Sequence, residues 1–318
     1  MAAGIRRLND LHIRRSVSSM GAVILPVYVL LEVNYPRLTP QAQLAGFALL
    51  GLLLIFLREA QEDSSRLGQI VDVALAFLAV ASCGFVLVQS QPWFSRWWLG
   101  GQSLGERAGA EQPLDTLVGI VGLVVVHEAA RRTVGWTLPI LACLFLLYAR
   151  LGPWLPDWLM PHRGYGLDRI VAQTFLHSQG VFGIALKVMF SYVFLFVVFG
   201  ALLEATGATR YVIEMARRLF RGSSGGPAKV AVMSSGLMGS LSGSAVANTA
   251  TTGTFTIPMM KSSGFSSHQA AGLEASASSG GALVPPVMGA GAYMMLEIID
   301  PPVTYLEIVR AALLPALL

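Results

Sequence analysis

From Lys229 to Pro286 the chain reads KVAVMSSGLMGSLSGSAVANTATTGTFTIPMMKSSGFSSHQAAGLEASASSGGALVPP, a membrane-grade apolar stretch interrupted twice. The first interruption is Gly239-Ser240-Leu241-Ser242-Gly243-Ser244, and the second runs from Ser276 to Pro286. Backbone that leaves a helix inside a bilayer loses its hydrogen-bond partners. Such breaks therefore survive only where protein or a water-filled cavity covers them. Transporters place their binding sites at breaks of this kind.

Working outward, Lys261 returns a positive charge only some 30 residues after Lys229. Two arms of about 14 residues reach only about 21 Å each, short of the roughly 30 Å hydrocarbon core. The spacing predicts a re-entrant helical hairpin with its tip at Ser240 to Asn248. The following segment carries Gly280-Gly281 and Pro285-Pro286, which favour unwinding because proline donates no helix hydrogen bond. It predicts one crossing broken into half-helices Ser267 to Ser279 and Val287 to Ile299. Asp300, Pro301 and Pro302 then turn the chain, and a last apolar run from Tyr305 reaches Leu318.

The rest of the composition agrees with a bilayer setting. Of 318 residues, 54% are hydrophobic and 13% charged, with a mean hydropathy of +0.62. That lies outside the soluble range. Spans are predicted near Val17 to Val33, Gln41 to Leu57, Ile70 to Gln89, Leu114 to Ala130, Val134 to Leu151 and Ala185 to Leu203. The fold class is thus an all-α polytopic membrane protein. A net charge of +4 does not signal nucleic acid, because the basic residues fall between apolar runs instead of along one face. They orient the spans. Arg6, Arg7, Arg14, Arg15, Arg58, Arg66, Arg131, Arg132, Arg210, Arg217, Arg218 and Arg221 fall on one side, and Arg37, Arg96, Arg107, Arg150, Arg163 and Arg169 on the other. The positive-inside rule then puts the amino terminus in the cytoplasm.

The basic start leads into an apolar run with no A-x-A-like cleavage site, so that run is read as an anchor. Trp93, Trp97, Trp98, Trp154 and Trp158 cluster on the predicted outer side, as interfacial belts do. The segment from Pro153 to Gly166 marks the division between residues 1–155 and 156–318. It leads into an amphipathic helix from Leu167 to Gln179, and a second, Arg-rich one is predicted from Ala208 to Phe220. Cys83 and Cys143 sit in separate apolar runs, where each is a packing residue.

Chemistry is concentrated at the two breaks. Ser240, Ser242, Ser244, Asn248, Thr249, Thr251 and Thr252 supply hydroxyl, amide and carbonyl oxygens to the first, and Ser276, Ser278 and Ser279 to the second. Neutral oxygens of this kind suit a weakly held alkali cation, and half-helix amino termini suit an anion. The competing reading is that small residues merely let helices pack closely. Glu274, next to the second break, is a candidate by its cost in the membrane, against an interfacial role near His268. Lys187 and Glu204 read as snorkelling ends of the sixth span. Enzymatic motifs fail: His127-Glu128 begins H-E-x-x-H, but Arg131 stands where the second histidine must be, and Gly222 to Lys229 lacks the P-loop register. A membrane enzyme using Glu274 or His127 as acid or base would need a partner group that the sequence does not pair with either.

Several motifs in order, Val193 to Leu203, Gly225 to Val232, Ser242 to Thr249, Thr252 to Lys261 and Gly280 to Gly289, resemble the large membrane subunit of tripartite ATP-independent periplasmic (TRAP) transporters. The form resembled is the fused permease associated with TAXI-type binding proteins. The resemblance implies a bacterial inner-membrane permease, not an enzyme, with no cofactor. It implies uptake driven by a sodium gradient, or in some members by protons, of a small organic acid delivered by a periplasmic binding protein. It implies a scaffold in residues 1–155 and, in 156–318, the first of two inverted repeats of an elevator-like transport domain. By motif, Ser242, Gly243, Ser244, Asn248, Ser278, Ser279, Gly280, Pro285 and Pro286 are assigned to substrate, and Ser240, Ser242, Gly243, Asn248, Ser276 and Gly281 to sodium. Against the family pattern the chain is expected to stop after the first repeat, as a fragment, a truncated product or half of a split permease. An inactive structural half-permease is the other reading, and the second half is a further expected partner.

Overall fold

The computed structural model describes residues 21, 23–58 and 66–317, and all of its regular structure is helical. Arg6, Arg7, Arg14, Arg15 and the start of the first expected span lie outside the described residues, as do the side chains of Arg58 and Arg66. The chain divides into two compact units, residues 1–187 and 188–318.

In the first unit, α1 (Val23–Asn34) is followed by α2 (Pro40–Arg58), α3 (Arg66–Ser90), α4 (Pro113–Val134) and α5 (Thr137–Leu151). The stretches Pro40–Leu57, Leu67–Ser90, Pro113–Val134 and Thr137–Trp154 are long and apolar enough to cross a bilayer. Helices α2 and α3 pack on each other, and Ala42 and Ala45 of α2 and Ala79 and Cys83 of α3 are all buried. Both cysteines are free, Cys83 buried and Cys143 exposed. Helix α6 (Leu167–Val171) continues in a π turn over Ala172–Leu176, three residues short of the expected Gln179. Its Val171 and Phe175 fill the furrow left by Gly119 and Gly122 on α4, where any Cβ would collide with them.

Two polar clusters lock this unit. Arg107, expected as an ordinary outer-loop charge, is 2% exposed and pairs with fully buried Asp115 at 2.8 Å. It also donates to Gln89 Oε1 and the Leu99 and Gln102 carbonyls, folding the 91–112 connection back onto α3. At the far end of α4, Glu128 accepts from Arg131 and Arg132, and Arg132 reaches Asp72 of α3 at 2.6 Å. This end of α4 is thus an ion-pair network.

The second unit begins inside α7 (Ile184–Ala205), whose π turn at Met189–Val193 carries Tyr192. The amphipathic α8 (Ala208–Leu219) buries Ile213 and Ala216 against Val230 of α9 (Gly226–Ser242). Then come α10 (Ala245–Ser262), α11 (Ser267–Gly281), α12 (Ala290–Ile298) and α13 (Tyr305–Leu317). Helices α9 and α10 form the expected hairpin. Their 17 and 18 residues amount to about 26 Å each, still short of a crossing. Met260 and Ala270, both fully buried, join the hairpin to α11. The broken helix is present too, with its halves ending at Gly281 and resuming at Ala290, a longer gap than expected on the carboxyl side. Both the Pro285–Pro286 and Asp300–Pro301 peptides are cis.

Candidate functional site

The hairpin turns more tightly than its sequence suggested. Ser240 to Ser242 finish α9 and Ala245 to Asn248 begin α10, leaving only Gly243 and Ser244 outside helix. The correction has a local cause. Gly243 takes φ +63°, which ends α9 with its N–H on the Gly239 carbonyl at 2.8 Å, and the Ser244 hydroxyl caps α10 by accepting from Ala247 N. Two residues then suffice to reverse the chain.

This tight tip sits against the broken segment. A Cβ on Gly243 would lie 2.0 Å from the Met288 carbonyl oxygen, and Val287 N donates to the Ser240 carbonyl at 3.1 Å. Gly243 and Gly289 touch through their backbones. Because Ser244 caps α10 and Gly289 caps α12, the amino termini of these two helices meet at one place. Helix amino termini carry partial positive charge and unpaired N–H groups, so their convergence favours an anion.

The opposite polarity gathers one turn below, where Gly239 and Gly281 let α9 and α11 cross in backbone contact. A Cβ on Gly239 would fall 2.5 Å from Gly281 C, and one on Gly281 would fall 2.4 Å from the Ser235 oxygen. The Asn248 amide lies against Gly281, at the carbonyl end of α11. Its Nδ2 donates to the Ser235 carbonyl at 2.7 Å, which fixes the amide orientation because that oxygen only accepts. Asn248 Oδ1 is left buried with no hydrogen-bond partner among the described residues. A buried unpaired acceptor beside a helix carboxyl end favours a small cation. The neutral oxygens here suit a monovalent ion, and no cluster of three or more His, Cys, Asp or Glu occurs among the described residues.

Glu274 belongs neither at the interface nor at the break. It is fully buried, which corrects the interfacial reading. Oε1 accepts from Ser235 of α9 at 2.8 Å, Thr252 of α10 at 2.5 Å and Ser278 of α11 at 3.2 Å, and Oε2 from Thr256 at 2.5 Å. Four hydroxyls from three helices close on one carboxyl, with no basic side chain among them. Gly253 makes room for its stem, since a Cβ there would press on Glu274 Cγ at 3.2 Å. The cage pins the hairpin to α11 below the Asn248 pocket.

The assigned residues therefore divide. Ser240, Ser242, Gly243, Ser244, Asn248 and Gly281 come together where the hairpin meets α11 and the break, and Ser278 joins the Glu274 cage. Ser276, Ser279 and Gly280 are exposed on the other face of α11, with Ser279 bonded to its own helix at the Ala275 carbonyl. Pro285 and Pro286 lie in the gap, where the Tyr305 hydroxyl reaches the Pro286 and Val287 carbonyls. Tyr305 stacks on Tyr293 at 5.1 Å, and Tyr293 in turn on Tyr192 at 5.4 Å, so α7, α12 and α13 together hold the gap open.

A cavity of about 560 Å³ beside the gap is lined by apolar residues such as Leu283, Met295 and Ile308, with Glu307 at its edge. It offers no cation to an acid. Of the residues that build the site, sequence reasoning missed Ser235, Thr256 and Tyr305. Thr256 had a signal, since Asn248, Thr252 and Thr256 recur every four residues on one face of α10. His127, the other acid–base candidate, hydrogen-bonds the Leu123 carbonyl through Nδ1, and its buried Nε2 has no hydrogen-bond partner among the described residues.

Comparison with known proteins agrees with the architecture. Residues 121–318 match the family model described as the DctM component of the tripartite ATP-independent periplasmic transporter. The chain is 33% identical over 149 residues to the 2,3-diketo-L-gulonate TRAP transporter large permease protein YiaN of Escherichia coli K12, covering 47% of this chain and 32% of that one. It is 32% identical over 128 residues to a Haemophilus influenzae protein described as a TRAP transporter large permease, covering 40% of this chain and 29% of that one. The match thus spans about a third of the length of these curated relatives. No solved structure gives a significant match. The family model covers well over half of the chain, which belongs to the DctM component family of tripartite ATP-independent periplasmic transporters.

Proposed function

We propose that the chain is membrane permease machinery of a TRAP transporter, taking up a small organic acid down a sodium gradient after a periplasmic binding protein of the TAXI type delivers it. The observation that carries this reading is the meeting of the α10 and α12 amino termini across Gly243 and Gly289. A carboxylate placed there accepts from helix-end N–H groups without needing a basic side chain. Sodium, the coupling cargo, takes the adjoining place, where Asn248 keeps Oδ1 buried and unpaired and its amide lies against Gly281 at the carbonyl end of α11. Cation and anion then lie within one turn of each other, and binding of each favours the other by mutual attraction.

In this reading residues 1–155 form the scaffold and 156–318 the mobile transport domain, in an inner membrane with the amino terminus in the cytoplasm. Family membership supports a permease over the enzyme alternative, and so does the Glu274 cage, in which four hydroxyls stand where a catalytic partner would be needed.

The test is uptake of labelled small carboxylates into proteoliposomes holding the complete transporter and its binding protein. An inward sodium gradient is expected to drive accumulation, and Ser244→Ala with Asn248→Ala to abolish it. At the level of the chain, sodium but not potassium is expected to raise the melting temperature, and Asn248→Ala to remove that response. Uptake indifferent to both the gradient and the substitutions would refute the proposal.

A further inference from the structure

A second site of different chemistry lies in the first unit, between α5 and the segment leading into α6. A cavity of about 460 Å³ is lined by Phe145, Leu146 and Ala149 of α5 and by Tyr165, Arg169, Ile170, Gln173 and Thr174. The α5 side of this lining is apolar, and Arg169 supplies its one cation, with Arg163 held at the same Tyr165 ring. Two guanidiniums lie close to the Tyr165 ring, Arg163 with Cζ 5.6 Å from the centroid and Arg169 at 5.3 Å, while Arg150 holds the Tyr165 carbonyl at 3.4 Å. Among the described residues none of the three forms an ion pair with a carboxylate, although Asp157 and Asp168 occur in the same stretch.

Tyr165 itself is fixed. Its N–H donates to the Ala149 carbonyl at 3.0 Å, and its ring lies against His162 at 5.7 Å. His162 accepts from Gly164 N at Nδ1 and bonds the Tyr148 carbonyl through Nε2, so both of its nitrogens serve the loop. The arginines are thus held over a rigid ring with their charge unspent.

Depth decides what such a pocket receives. The span containing α5 runs Thr137–Trp154, so Arg150 lies in its last turns, shortly before the exposed Trp154 and Trp158. Leu141, Leu144, Phe145 and Leu147 are exposed along the apolar length below. A ligand filling this shape has a negative head at the water boundary and a hydrocarbon tail running along α5. We infer that this pocket binds an anionic phospholipid, its phosphate between Arg163 and Arg169 and the upper part of one acyl chain against Phe145, Leu146 and Ala149. Guanidinium is suited to the head because it pairs with phosphate through two parallel N–H groups and can do so from beside an aromatic ring such as Tyr165.

The inference is independent of the transport reading. It is tested with the purified full-length chain in detergent, titrated with dioleoyl phosphatidylglycerol or dioleoyl phosphatidylcholine, with bound lipid counted by native mass spectrometry. Phosphatidylglycerol is expected to bind with one tight site that phosphatidylcholine does not fill. Arg163→Gln with Arg169→Gln is expected to weaken it about twenty-five-fold, as two interfacial basic groups act at about fivefold each. Arg96→Gln, another arginine of the predicted outer side, is expected to leave it unchanged.

Leu146→Trp fills the floor without touching the charge and is expected to remove the site as well, which keeps the proposal testable should the arginine pair fail to fold. Equal binding of the two lipids, or tight phosphatidylglycerol binding surviving Leu146→Trp, overturns it. So does a double-arginine variant that keeps phosphatidylglycerol while losing affinity for the soluble binding protein, which would make the patch a protein-docking surface.

Discussion

Replacing Glu274 separates shape from charge in the cage. In Glu274→Gln, an amide nitrogen at the Oε2 position donates to Thr256, whose own proton turns to the Thr252 carbonyl 3.0 Å away. The amide oxygen at Oε1 keeps Ser235, Thr252 and Ser278 as donors. One amide hydrogen is left over, at a cost of about 1 kcal/mol. In Glu274→Ala the hydroxyls must find other acceptors: Thr256 takes the Thr252 carbonyl, Thr252 the Asn248 carbonyl at 2.8 Å, and Ser235 the Thr252 hydroxyl at 3.1 Å. Ser278 is stranded, at about 1–3 kcal/mol, and the emptied space adds about 1 kcal/mol. The alanine variant should therefore lose roughly 2–4 kcal/mol and the glutamine variant about 1 kcal/mol. Thermal unfolding in detergent, with parallel urea titrations, reads the difference. A glutamine variant as unstable as the alanine one would refute the reasoning, because it would mean that the negative charge, and not the hydroxyl geometry, holds the three helices.

Two further substitutions probe the crossing and the loop lock. Gly281→Ala places a methyl 2.4 Å from the Ser235 oxygen, whereas Gly280→Ala meets nothing within 4 Å. The first should cost about 1–3 kcal/mol by overpacking and erase the sodium-dependent rise in melting temperature, while its neighbour should leave both intact. Arg107→Met strands the buried Asp115 carboxylate and should cost about 3–5 kcal/mol. Arg107→Met with Asp115→Leu should recover much of that loss, with protease cleavage of the 91–112 connection as the measure.

Much of this architecture was written in patterns that composition and spacing expose. Long apolar runs set α2 to α5 and α7, and Gly-Ser and Gly-Gly-Pro-Pro punctuation announced both breaks. Hairpin length followed from the return of Lys261. What could not be read was which face of each helix turns inward. Ser276 and Ser278 look alike in a string, yet two residues are 200° apart on a helix, so one enters the cage and the other is exposed. The structural role of Arg107 was not legible for a related reason, since a loop charge becomes structural only when the chain folds back to meet Asp115 eight residues later. The tip was drawn too wide because serines and glycines also pack well inside helices when a neighbouring backbone approaches closely.

The same small residues explain why the two breaks act as one site. A side chain at Gly239, Gly243 or Gly281 would push α9 away from α11 or from the broken segment, and no other feature could close the gap it left. With backbones in contact, helix ends of opposite polarity lie side by side: amino termini of α10 and α12 at the tip, and the carboxyl terminus of α11 beside Asn248. Partial charges of this kind act strongly only within the first and last turns, so a few ångströms of separation would uncouple them. The hydroxyl cage supplies the rigidity that keeps them together, because any sliding of α11 against the hairpin breaks bonds from Ser235, Thr252 and Thr256 at once. A site whose charges belong to backbone cannot be tuned by changing ionisable residues. On the proposed reading its selectivity resides in distance, so that any residue larger than glycine at the crossing would alter ion and acid binding together.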